Sequence, residues 1–452
     1  MTKFHSHIMS GAVVLSGLLA SELASAQDAP VAPAPAAPPA AEAPPPAPAP
    51  APAPAPPPMA DAPAPPPAGA MPPPPPPPPP PADSPFKVTV GAGFRSALRI
   101  QNPNKTKDAA GNEHTKLNDQ FLDELNVELR TSGKVTDIIG WTANFTTDGR
   151  SRAEHGAGAP IAFQTQALDF IGQLDFMDEF HVWMGRMLTP SDRSNFSGPW
   201  FMPTWNYAGG LPTGYFGPRG TEEVGREDGF TVWGDINKGK FKYYAALLDL
   251  DSDYGVKDGG MAGQNPLFSA RLAYAFVGSE PGFYGSSTYY GSQNIVALGA
   301  AFQYQKNYKC TAGTWNCGPV DGKDNLTEFN ADLLAEGKIG DAGTLGGETA
   351  YYHESGDTRS FNDFFYIMPT FTTGEILPAK GKLNALFRFQ MAKTDYAGAA
   401  PTTHTAFEPS LAYLFKDYFA KLQLSYTYAQ AKPDTGPTVK SQFIQLGFQI
   451  QQ

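Results

Sequence analysis

Several absences bound what this chain of 452 residues can be. After residue 26 there is no run of 18 or more apolar residues, which excludes helical membrane spans. There is no basic stripe: 33 Lys and Arg stand against 44 Asp and Glu, a net charge of −11, so nucleic acid is excluded as a partner. Neither G-x-S-x-G, H-E-x-x-H nor a P-loop occurs, and His114, His155, His181, His353 and His404 are scattered without metal-ligand spacing. Nothing pairs a nucleophile with a base, so neither an enzyme nor a cofactor nor a metal is expected. The lack of long apolar runs does not exclude every membrane protein. An outer-membrane barrel alternates apolar and polar residues and averages out as soluble.

Cysteine is nearly absent. Cys310 and Cys317 lie in NYKCTAGTWNCGPV with Gly313 between them, a spacing that suits one small disulfide loop in an oxidising compartment. A metal site needs further Cys or His close by, and none is there.

The N-terminus points to export. Lys3 and two histidines precede an apolar segment, Ile8 to Ala20, and then the small-x-small site Ala24-Ser25-Ala26. Residues 1–26 read as a signal peptide. Residues 27–84 are almost entirely Pro and Ala, with an unbroken run from Pro72 to Pro81. Proline fixes φ and lacks an N–H, so this stretch is a disordered polyproline II segment and not a folded domain. Fully extended, at about 3.1 Å per residue, it reaches on the order of 180 Å. It is either a periplasmic spacer or anchor, with the cell-wall peptidoglycan as partner, or a passive linker.

From residue 85 to 452 the dominant period is two. Phe86 to Arg95 sets it, with apolar residues on even positions and charged, polar or glycine residues on odd ones. The alternation returns in 125–129, 141–145, 268–274, 296–304, 383–391, 420–428 and 444–450. Connections alternate in length: short at 132–137, 175–179, 237–240, 337–343 and 415–417, and long at 102–120, 149–160, 189–228, 251–265, 306–324 and 394–404. Short turns on one rim, long loops on the other and aromatics near strand ends are the signature of an outer-membrane barrel. The fold expected is all-β: a transmembrane antiparallel up-and-down β-barrel of about 16 strands, wide enough for an aqueous channel.

Two connections stand apart. Residues 189–228 are too long for an idle connection, and Phe196, Trp200, Phe201, Trp205, Tyr207, Tyr215 and Phe216 must pack somewhere. This loop is expected to fold back and narrow the pore. GSEPGFYGSSTYYG (278–291) falls where a short turn is due, yet is long and aromatic. It reads as a periplasmic flap.

LNVELRTSGKVTDIIGWTANF (125–145), HVWMGRMLTPSDRSNF (181–196) and DGFTVWGDINKGKFKYYAALLD (228–249) resemble the bacterial porin O/P family, the phosphate-selective type of outer-membrane porin. The resemblance covers most of 86–450 through strand-turn patterns. It implies a sixteen-stranded channel, usually a homotrimer, constricted by the third long loop, here 189–228. The chain departs from the family in two ways: no ladder of inward Arg and Lys can be assembled, and it ends Phe448-Gln449-Ile450-Gln451-Gln452 and not on an aromatic residue.

Period two assigns the lumen. The inward cations expected are Arg95, Arg99, Arg130, Lys242, Arg271, Arg388 and Lys421. The inward anions are Glu124, Glu128, Asp169, Glu328, Asp332, Glu336, Glu348 and Glu408. The two sets are similar in size, and no ring of one sign emerges to focus one sign of ion. Asp192, Arg193, Arg219, Glu222, Glu223, Arg226 and Glu227 are the candidates at the constriction, where Arg219 and Arg226 either hold an anion or pair with Glu222 and Glu223. Asp249, Asp251, Asp253 and Asp258 have the alternate carboxylates a calcium ion wants, but the EF-hand spacing fails and a solvated loop is the plainer reading.

The expectation is thus an outer-membrane porin, embedded in lipid, passing small hydrophilic solutes and ions by passive diffusion. Two alternatives remain: an anion- or phosphate-selective channel, and a structural barrel that joins the membrane to the cell wall through 27–84.

Overall fold

The computed structural model describes residues 87–101, 104–107, 113–116, 119–149, 163–211, 214–215, 225–249, 266–306, 309–310, 317–318, 325–356, 361–376, 381–395 and 400–452. The leader and the Pro/Ala segment lie outside them, as do residues 250–265 of the aspartate-rich loop.

Sixteen strands close into one antiparallel barrel, each paired with its neighbours in the chain. They are β1 (Lys87–Gln101), β2 (Asp119–Lys134), β3 (Ile139–Gly149), β4 (Phe163–Met177), β5 (Phe180–Leu188), β6 (Arg226–Ile236), β7 (Phe241–Asp249) and β8 (Leu267–Val277). The second half is β9 (Ile295–Gln305), β10 (Leu326–Ile339), β11 (Gly343–Ser355), β12 (Asp363–Thr373), β13 (Lys382–Thr394), β14 (Thr402–Lys416), β15 (Ala420–Pro433) and β16 (Val439–Gln451). β1 closes the ring on β16, with Phe94 opposite Ile450 and Leu98 opposite Leu446. Closure leaves no open edge, the condition a sheet must meet in lipid, where an unpaired N–H or C=O has no water to turn to.

Residues directly opposite one another on antiparallel strands share a face, so each strand's alternation is copied around the ring. Leu272, Phe276, Leu298, Phe329, Leu411 and Leu424 stand exposed on the outside. Their neighbours in sequence, such as Arg271, Glu328, Ser410 and Gln423, are buried on the inside. A soluble monomer rarely exposes an apolar patch above a few hundred Å². An apolar belt around a closed barrel is a lipid-facing wall. Near the short-turn rim, Tyr274 with Phe276 and Tyr413 with Phe415 pack edge to face at 4.9 and 4.8 Å between ring centroids. They form part of an aromatic girdle.

The turns follow local chemistry. Between β6 and β7, Asn237 and Lys238 both take positive φ, and Gly239 follows at φ 81°. This is the mirror-image geometry that matches strand twist. Gly239 has a second role: a Cβ there would strike the backbone of Glu280 and Pro281, which lies against it.

Candidate functional site

Two segments enter the barrel from opposite rims. From the long-loop rim, the chain after Leu188 turns inward at Thr189 and forms a single helical turn, α1 (Arg193–Ser197). Asp192 caps it by accepting from the Asn195 N–H at 3.3 Å. The chain then runs along the wall through Trp200 and Trp205 to Ala208, all buried. A path through the lumen strips water from its carbonyls, and each needs a donor from the wall. The inward side chains supply them. Arg271 donates to Ser191 O at 2.8 Å, Lys421 to Met202 O at 2.9 Å, Arg388 to Asn206 O at 2.9 Å and Arg95 to Trp205 O at 2.8 Å. Amides do the same: Gln423 donates to Pro203 O and Gln449 to Trp200 O, both at 2.9 Å.

The aromatic anchors sit where the wall is bare. A Cβ on Gly93 would lie 2.7 Å from the Trp200 ring, and one on Gly447 would strike Trp205. The guanidinium of Arg95 lies 4.3 Å from the Trp205 ring centroid, and that of Arg130 4.9 Å from Trp200. Cation and indole face each other in a geometry that contributes about 0.5–2 kcal/mol each.

From the short-turn rim, residues 278–294 between β8 and β9 also turn inward. The stretch read as a flap is held along its backbone. Lys242 donates to Gly282 O and Tyr284 O, both at 3.0 Å, and Asp235 accepts from Gly282 N at 2.7 Å. On the other side Glu336 accepts from Tyr289 N at 3.0 Å and Gly291 N at 2.7 Å. Phe283 stacks on Trp183 at 4.5 Å and meets Phe196 of α1 at 5.2 Å. With Ile171, Trp233 and Tyr244 these rings form an apolar cluster inside the barrel.

The two segments meet in a charged knot. Arg193 donates to both carboxylate oxygens of Glu280, at 2.6 and 2.8 Å, and its Nε to Asp332 on β10 at 3.3 Å. Arg271 on β8 holds the same Asp332 at 2.6 and 3.0 Å. Burial alone would raise the Glu280 pKa, but the Arg193 guanidinium outweighs it, and the carboxyl is held at about 2.

Of the other residues expected in the lumen, Arg130 binds Glu128 at 2.8 Å, Arg388 binds Glu408 at 2.6 Å, and Arg99 lies 4.3 Å from the Phe443 ring. Glu348 accepts from the Tyr366 hydroxyl, and Glu328 from Asn330 at 3.2 Å. The constriction candidates divide. Asp192 and Arg193 belong to the inward loop, and Asp192 also accepts from the Tyr352 hydroxyl. Arg226 and Glu227 lie in the first residues of β6, not in the loop, and Arg226 binds Asp169 at 2.8 Å. Arg219, Glu222, Glu223 and the side chain of Glu124 lie outside the described residues, as does the carboxylate set from Asp249 to Asp258. A two-residue ladder sets Cys310 directly opposite Cys317.

Sequence reasoning passed over Glu280, because a lone carboxylate in an aperiodic stretch announces nothing. It also passed over the amides of β15 and β16. Gln423, Gln445, Gln449 and Gln451 occupy alternate, inward positions, and that regularity was a usable signal.

No family model and no curated protein matches the sequence. Solved structures do. Pseudomonas putida OprB in its high-pH structure aligns with TM-score 0.49 at 10% identity, over 81% of this chain and 94% of that one. The outer membrane channel DcaP of Acinetobacter baumannii aligns with TM-score 0.46 at 12% identity, over 82% and 99%. An anion-selective porin from Comamonas acidovorans aligns with TM-score 0.45 at 15% identity, over 81% and 100%.

Proposed function

We propose that the chain is an outer-membrane porin, a water-filled channel through which small hydrophilic solutes and ions diffuse passively. One observation carries the reading: a closed sixteen-strand barrel, apolar outside and polar inside, contains a loop that its own wall holds in place. A barrel of sixteen strands leaves an aqueous channel where one of eight is filled by side chains. A loop inside it narrows that channel without closing the ring.

The charges favour weak selectivity over a phosphate filter. A phosphate path needs inward cations turned to the solute. Here Arg271, Arg388 and Arg130 are paired with Asp332, Glu408 and Glu128, and Lys421 holds the loop backbone. Paired charges on facing walls give a local field with little net sign. The homotrimer that the porin O/P resemblance implies is read from the mass of the native detergent complex. A disulfide between Cys310 and Cys317 is supported by their opposed backbone positions, and protection of both thiols from alkylation before reduction tests it.

The deciding experiment is reconstitution of the purified chain in a planar bilayer. Stepwise ohmic conductance with a reversal potential near zero in a salt gradient is expected. Silence would favour the structural barrel, and block of chloride current by phosphate would favour the selective channel.

A further inference from the structure

We propose that residues 278–294 form a second constriction, built in from the short-turn rim, and that this segment together with the loop sets the size limit of the channel. The inference rests on the porin reading above.

The segment is not an idle turn. A hairpin between β8 and β9 needs only two residues, since a Cβ on Gly278 would lie 2.5 Å from the Asn294 carbonyl: the strand ends are already side by side there. The residues in excess run inward, not out along the rim. Glu280, Phe283 and Tyr290 are all at most 5% exposed.

The wall is equipped to hold it. Lys242 and the Tyr244 hydroxyl on β7 cap its carbonyls at Gly282, Tyr284 and Phe283, at 2.7 to 3.0 Å. Glu336 on β10 gathers the Thr288 hydroxyl and two backbone N–H groups at 2.7 to 3.0 Å. On β13, Lys382 reaches the Tyr290 carbonyl at 3.2 Å. The strap therefore spans the lumen side from β7 to β13. Each inward charge that anchors it is also withdrawn from the solute path. Where it passes α1, the Ser287 hydroxyl donates to the Ser197 hydroxyl at 2.9 Å, and Arg193 locks onto Glu280. Loop and strap thus form one two-piece eyelet, each piece fixed to the wall by its own set of donors and acceptors.

The test replaces 279–293 by Asn-Gly and compares single-channel conductance with the intact chain. Barrel assembly is verified for both by heat-modifiable migration on a gel. Conductance is expected to rise by about two-fold or more, and neutral polymers too large for the intact channel are expected to enter. Unchanged conductance and polymer cut-off would overturn the strap while leaving the porin reading intact. Silence of both chains would overturn both. A silent parent with a conducting deletion would support the strap as a plug and overturn the open channel.

If the deletion does not assemble, the point variants E280Q and F283A decide. Each is expected to raise open-channel noise by loosening the strap, and adding S197C with S287C is expected to quench that noise on oxidation and restore it on reduction. Quiet currents in both point variants, indistinguishable from the parent, would overturn the proposal.

Discussion

Arg193 and Glu280 arrive from opposite rims of the barrel and meet through two parallel hydrogen bonds of 2.6 and 2.8 Å. The planar guanidinium matches the carboxylate as a lysine ammonium could not. Both groups are buried, so neither has water to fall back on. Such a pair contributes little over a well-packed apolar isostere, but removing one partner strands the other. Its main consequence is specification of where two long segments lie.

Arg193→Ala should therefore cost about 3–5 kcal/mol, because it leaves the buried carboxylate of Glu280 without its ion-pair partner, while Asp332 keeps Arg271 alone. The shift in urea midpoint, followed by tryptophan fluorescence in detergent, measures it. Arg193→Lys should fall between, since the charge stays and the fork is lost. A loss under about 1 kcal/mol for the alanine variant would mean that the knot is solvated.

Acid should loosen the same contact. Glu280 is held at about 2 in the fold against an ordinary 4.5. A depressed carboxylate stabilises the folded state fully above its unfolded pKa and loses that contribution as pH falls through the folded one. The window is therefore pH 4.5 down to 2. Thermal stability of the parent should fall across it more steeply than that of E280Q. Parallel curves would show that Glu280 does not titrate there.

Gly93 makes room for an indole, not for an unusual backbone. Gly93→Val should push Trp200 off the wall and cost about 1–3 kcal/mol, as overpacking does. A red shift in tryptophan emission together with altered conductance is expected. An unshifted spectrum would mean that Trp200 does not sit on Gly93.

Arg388→Gln removes the partner of Glu408 and a donor to the loop at Asn206. The reversal potential in a KCl gradient should move toward cations. If it does not move, Glu408 lies away from the ion path.

Deleting 27–84 should leave single-channel conductance unchanged if that segment only tethers the barrel. Its loss on deletion would give the Pro/Ala segment a part in the channel itself.

What the sequence determined by itself was the wall: the barrel, its strand parity and the side on which turns are short. Alternation of period two is local, and each strand declares its two faces without reference to its partners. The third long loop was legible too, because aromatics such as Trp200 and Trp205 in an overlong connection must be buried. The tertiary structure alone decided what the inward residues do. Arg95 meets the Trp205 carbonyl 110 residues away, and Gln449 meets that of Trp200 across 249. Those partners depend on the path of the loop across the closed ring, and no local period encodes a path. The strap at 278–294 was hidden for the same reason. Its direction, inward and not along the rim, is set by Lys242, Glu336 and Arg193, which closure of the barrel brings around it.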